Sequence, residues 1–148
     1  MNGLVLAGLL PLFFMIAFFL LNRPLREFFE EFQVEQARES FRPAREQLEA
    51  RFLRALDRID PIEAARWDSA DWQNEVYWAR DRQSRRLLAL VCVHFPPTPF
   101  HHSGVPEVAT AVFEYRKREW RAEGKRLAEV SPDEVVRRDR RFEAVRIL

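Results

Sequence analysis

The chain has 148 residues, 24 basic and 23 acidic side chains and a formal charge of +1 at pH 7, so it holds one domain beyond any membrane segment and lacks the strongly basic balance of a nucleic-acid binder. Its lone Cys92 excludes an internal disulfide and, within the apolar run 87–93, reads as a small buried hydrophobe. Gly3, Gly8, Gly104 and Gly124 are its only glycines, which leaves no G-x-G-x-x-G or Walker loop, and no G-x-S-x-G, C-x-x-C or H-E-x-x-H occurs.

Residues 3–21, GLVLAGLLPLFFMIAFFLL, carry no charge. As a helix they reach roughly 28 Å, close to the hydrocarbon thickness of a bilayer, and predict a single-pass transmembrane anchor over residues 1–22. Pro11 predicts a kink that lipid-embedded helices tolerate. Only Met1 and Asn2 precede the run, and Asn22, Arg23 and Pro24 follow it. The basic start and small-residue cleavage site of a signal peptide are missing, so the segment is expected to be retained. No Lys or Arg precedes the span, whereas Arg23, Arg26, Arg38 and Arg42 follow it. That bias puts the N-terminus outside the inner membrane and the C-terminal domain in the cytoplasm.

Pro24 suits the first turn of a new helix, so a break is expected there. Residues 23–59 then read as a membrane-proximal amphipathic helical segment. In its first turns Leu25, Phe28, Phe29 and Phe32 share one face. Glu27, Glu30 and Glu31 lie on the other, where anionic lipid would repel them, so the Phe face reads as core-facing rather than interfacial. Phe41, Ala44, Leu48, Phe52, Ala55 and Ile59 continue at helical spacing, a stripe that Pro43 starts or kinks. It lasts under three heptads, too short for a coiled-coil seam.

Residues 60–148 read as a small α+β domain packed with that segment. Asp60, Pro61 and Glu63 have the pattern of an N-cap, a first-position Pro and a capping Glu, predicting a short helix to Trp67 or Asp68. Ser69, Asp71 and Asn74 read as polar punctuation before a β-hairpin. Its strands are residues 76–79 and 87–95, the second being the most apolar stretch outside the anchor and the expected central strand. A third strand is expected over 108–115 and a fourth through Trp120 to a turn at Gly124. Ser131, Pro132 and Glu134 start a short C-terminal helix over about 132–141.

The fold class that follows is α+β: an N-terminal transmembrane helix, long amphipathic helices, then a three- to four-stranded antiparallel meander with a helical layer on one face and a short C-terminal helix. Long helices leading into a curved meander loosely resemble cystatin-like or NTF2-like rolls. That resemblance is of fold alone, carries no motif and implies no activity.

Three constellations are candidates for function. Arg116, Lys117, Arg118 and Arg121 cluster with Tyr115 and Trp120 interleaved, in the half of the chain that holds 15 basic against 11 acidic residues. Such a pattern suits an anionic lipid surface or a single-strand platform; Glu114, Glu119 and Glu123 dilute it, which disfavours nucleic acid. His94, His101 and His102 fall within nine positions, but adjacent imidazoles diverge on an extended chain and no zinc-site spacing is present. The prolines at 96, 97, 99 and 106 instead favour a stiff exposed loop. A pocket between sheet and helix lined by Trp78, His94, Tyr115 and Trp120 would serve a small molecule or a metal. No catalytic residue and no cofactor is assigned. The reading is a non-enzymatic, membrane-tethered interaction or scaffold domain that docks a protein partner at the inner membrane face.

Overall fold

The structure, a computed structural model, describes residues 2–97 and 107–145, and within the first helix it describes side chains for residues 11–20 and from residue 30 onward. Helix α1 (Asn2–Asp57) runs without interruption through Pro11, Pro24 and Pro43. The break expected at Pro24 is therefore absent. Each Pro removes one hydrogen bond, and the Leu, Phe, Glu and Arg around it are compatible with a helix on either side. Two compact units divide the chain, Met1–Glu39 and Ser40–Leu148. The boundary falls at the Glu39 carbonyl, the one that Pro43, lacking an N–H, leaves without its helical donor.

In the first unit, Leu12, Phe13, Phe14, Met15, Ile16, Phe18, Phe19 and Leu20 are all exposed. Among the described residues no helix is long and apolar enough to cross a membrane. The side chains of the expected anchor at positions 1–10 and 21–22, and those of Leu25, Phe28 and Phe29, lie outside the described residues. Phe32, expected to face a core, is exposed.

The second unit begins with the last turns of α1, whose Phe41, Leu48, Phe52 and Leu56 are buried. Ile59, expected to continue the stripe, lies past the helix end and is exposed. Helix α2 (Pro61–Asp68) follows. Its Asp60 carboxylate accepts from the backbone N–H groups of Ile62 and Glu63, both at 3.1 Å, which satisfies two of the donors a helix start leaves open.

Six strands form one antiparallel sheet: β1 (Asp71–Asp81), β2 (Leu87–Phe95), β3 (Glu107–Arg116), β4 (Glu119–Arg121), β5 (Arg126–Ala128) and β6 (Phe142–Ala144). Helix α3 (Pro132–Arg138) lies between the last two. The order is β4-β3-β2-β1-β6, with β5 pairing β3 beside β4. The meander β1 to β4 matches the expectation; β5 and β6 add to it. β1 begins earlier than expected, at Asp71, because extra residues between Trp72 and Val76 bulge out of its register with β2. The bulge is held from α1: the Arg45 guanidinium donates to the carbonyls of Asn74, at 2.8 Å, and Gln73.

Both faces of the sheet are covered, where a helical layer on one face was expected. Register places Trp78, Ala89, Phe113 and Tyr115 on one face, and this face packs on α1 and α2 through Phe41, Phe52 and Trp67. The other face carries Ala79, Leu88, Leu90 and Val112 under Val135 of α3, with Leu127, Val130 and Phe142 around them. Hence β2 reads LLALVCV without alternation: a strand buried on both sides needs apolar residues at every position. Gly124, at φ 73°, lets the β4–β5 connection approach α1; a Cβ there would stand 3.2 Å from the Leu56 nitrogen.

Candidate functional site

Register brings the basic cluster to one end of the sheet. Arg116 ends β3, and Lys117 and Arg118 form a two-residue turn into β4, where Arg116 pairs with Glu119 and Tyr115 with Trp120. Both turn residues have positive φ, 52° and 64°. That conformation is the one two-residue hairpin loops require and the one Asn and Gly adopt at least cost. Arg116, Lys117, Arg118 and Arg121 are exposed, and Arg121 pairs with Glu119 at 3.1 Å.

Two further basic segments join this end. Because Leu87 pairs with Tyr115, the β1–β2 turn, with Arg82, Arg85 and Arg86, lies beside the β3–β4 turn. Because Phe142 pairs with Asp81 and the Arg82 N–H donates to the Arg141 carbonyl at 2.8 Å, the α3–β6 loop, with Arg140 and Arg141, lies beside the β1–β2 turn. Arg85 also has positive φ, 59°. Sequence reasoning missed both segments. They stand well apart in sequence from the cluster and from each other, and only strand register unites them.

The aromatic candidates lie inside. Trp120 is 6% exposed, and its short strand alternates exposed, buried, exposed as a half-covered strand does. Its ring sits 4.9 Å from Phe41, 5.7 Å from Trp78 and 5.1 Å from Tyr115, tilted or edge-on, the geometry in which aromatic pairs attract. Trp78 and Tyr115 are half-buried in the same cluster. These rings form the packing between α1 and the sheet.

His94 is not brought to them. It pairs with Asp71 and Val108 at the opposite end of β2 and, by alternation, on the opposite face from Trp78. The pocket expected from Trp78, His94, Tyr115 and Trp120 is therefore not assembled. His101 and His102 lie outside the described residues. Among the described residues no group of three or more His, Cys, Asp or Glu could hold a metal. Cys92 is half-buried, and burial pushes its thiol above the ordinary value, so it is poorly disposed to be a thiolate nucleophile.

A cleft of about 270 Å³ opens beside the basic end, floored by Leu88, Val112 and Leu127 and flanked by Asp81, Glu114 and Arg141. Arg141 clamps Asp81 with Nη2 at 2.8 Å and Nε at 3.2 Å, while the Gln83 N–H donates to the same carboxylate at 2.9 Å. The Arg141 hydrogen bond is the largest influence on Asp81 and holds it far below the usual carboxylate range against the opposing effect of burial. For Glu114, burial pushes upward most strongly. Hydrogen bonds and charges from Lys125 and Arg86, the latter at 3.0 Å, together outweigh it and lower the pKa. The carboxylates of the cleft are thus engaged by its cations, as buried charge requires.

Compared with known proteins, the chain matches no family model, no curated protein and no solved structure. The loose likeness to cystatin-like or NTF2-like rolls gains no support from them.

Proposed function

We propose that the chain is a membrane-tethered, non-enzymatic interaction domain. Residues 3–21 act as a single-pass anchor with the N-terminus out, and the unit Ser40–Leu148 works as a scaffold for a partner at the cytoplasmic face of the inner membrane. The exposed shell on residues 11–20 carries this reading. Eight large apolar side chains there face solvent, at neighbouring positions and hence on every side of the helix. Moving each out of water is worth roughly 1.5–3 kcal/mol, so the group gains on the order of 10–20 kcal/mol by entering lipid. An uncharged run of this kind continues on both sides of those ten residues, to Gly3 and to Leu21. The partner surface lies away from Trp78 and Trp120, which the packing already uses.

Cell fractionation tests the tether. The full chain should remain with membranes washed in alkaline carbonate, and deletion of residues 2–21 should release it. Recovery of the full chain in the carbonate supernatant would sink the anchor. With the same membranes sealed, protease added outside should spare the domain; its digestion would invert the proposed topology.

A further inference from the structure

We propose that the end of the sheet built from the β1–β2 turn, the β3–β4 turn and the α3–β6 loop docks on the headgroups of an anionic phospholipid bilayer. The inference rests on the tether proposed above and names the surface that the tethered domain meets.

Charge carries the argument first. Residues 82–86, 116–118 and 139–141 hold eight cations and one carboxylate, Asp139. The strand-end carboxylates that border them are already taken: Asp81 by Arg141, Glu114 by Arg86 and Lys125, Glu119 by Arg121, and Glu143 by Arg82. Arg116, Lys117, Arg118 and Arg140 make no ion pair among the described residues. A surplus of positive charge therefore faces outward from this end.

Backbone conformation points the same way. Of the four described non-glycine residues with positive φ, three are cations at this end, Arg85, Lys117 and Arg118. Asn or Gly would hold these turns at lower cost. Strain retained in this manner marks positions where the side chain has a task.

Placement supplies the third argument. Phe41, at the start of the second unit, packs on Trp78 and Trp120 near the basic turns, whereas Phe52 packs on Trp67 and Trp72 farther along the sheet. The chain thus enters the unit Ser40–Leu148 at its basic end. A surface on a domain tethered to a bilayer meets lipid at high effective concentration.

The composition of the three connectors selects lipid over protein. They carry Arg, Lys, Gln, Ser and Asp and no apolar side chain. A protein interface needs a desolvated aromatic or aliphatic anchor at its centre. Attraction to anionic lipid needs only charge, and each cation near such a surface strengthens binding roughly fivefold.

The test uses the full chain with Cys92→Ala and Gln83→Cys, labelled at position 83 with a fluorophore and incorporated into lipid discs whose headgroups carry a quencher. Discs containing phosphatidylglycerol should quench the label, high salt should relieve the quenching, and discs of phosphatidylcholine alone should not quench. Exchange of Arg116, Lys117, Arg118 and Arg140 to Gln should abolish the lipid dependence without changing incorporation. Equal quenching in both lipids, or none, would overturn the docking. So would salt-sensitive binding of polyglutamate or single-stranded nucleic acid by a chain indifferent to phosphatidylglycerol. A chain that enters neither kind of disc would refute the tether instead, and externally added phosphatidylglycerol vesicles then decide the docking alone.

Discussion

Asp81 shows how one residue joins the sheet edge to the charge at its end. It is 3% exposed, and its oxygens are held by Arg141, sixty positions away, and by the Gln83 N–H. Asp81→Asn leaves an acceptor in place but removes the charge from the pair. With Arg141 half-exposed and able to regain water, the loss should be about 1–3 kcal/mol at neutral pH. The pH dependence follows from the direction of the shift. The folded-state pKa of Asp81 lies below its unfolded value of about 3.9, so the stabilisation is fully present above that pH and is lost as pH falls through the folded value. Glu114, also lowered, adds in the same direction. Urea midpoints should therefore fall steeply below about pH 4 in the wild type and less steeply in Asp81→Asn. Parallel acid limbs would remove Asp81 from the account. Nothing in the sequence marked this pair, because an Asp before a turn and an Arg after a helix become partners only once β6 is laid against β1.

At the scale of elements, the β3–β4 hairpin sets local preference against charge. Its turn is Lys117 and Arg118 at φ 52° and 64°, where Asn and Gly would be at ease. The double exchange Lys117→Asn with Arg118→Gly should raise stability by about 1–2 kcal/mol, read from denaturant unfolding, while weakening attachment to phosphatidylglycerol discs. A gain in stability with attachment unchanged would detach the strain from the proposed role. The strand itself was legible, since Trp120 between Glu119 and Arg121 alternates as a half-covered strand must, and Trp120 is buried as that alternation required. The start of α2 and of α3 was legible too, through Asp60 and Ser131, each followed by Pro at the first helical position. Other boundaries were not. Pro24 read as a helix start and Pro43 as a start or a kink, yet the chain continues helical through both, because Pro weakens one turn locally while the surrounding turns supply the rest of the ladder. Three-residue strands such as β5 and β6 are too short for any period to show, and they exist because β3 and β1 offer open edges.

For the molecule as a whole, the polarised end and the doubly covered sheet both arise from segments distant in sequence. The apolar run of β2 announced a central strand, but what covers its second face did not show, since the cover is short: Val135, Leu127, Val130 and Phe142 come from α3 and its flanks. Their role sets an expectation for two truncations. Removing residues 132–148 would uncover Leu88, Leu90 and Val112, each now 8% exposed or less, and would also remove β6 and the Arg141 clamp. Exposing three such side chains costs roughly 5–9 kcal/mol, comparable to the whole stability of a domain at about 5–15 kcal/mol. The shortened chain should therefore bind an apolar-surface dye and lose cooperative unfolding. Removing residues 2–21 leaves the unit Ser40–Leu148 whole, and its midpoint should move by no more than about 0.5 kcal/mol. If the chain without residues 132–148 still unfolds cooperatively at the wild-type midpoint, the second face does not need its cover. If the chain without residues 2–21 loses its transition, the two units do not fold independently.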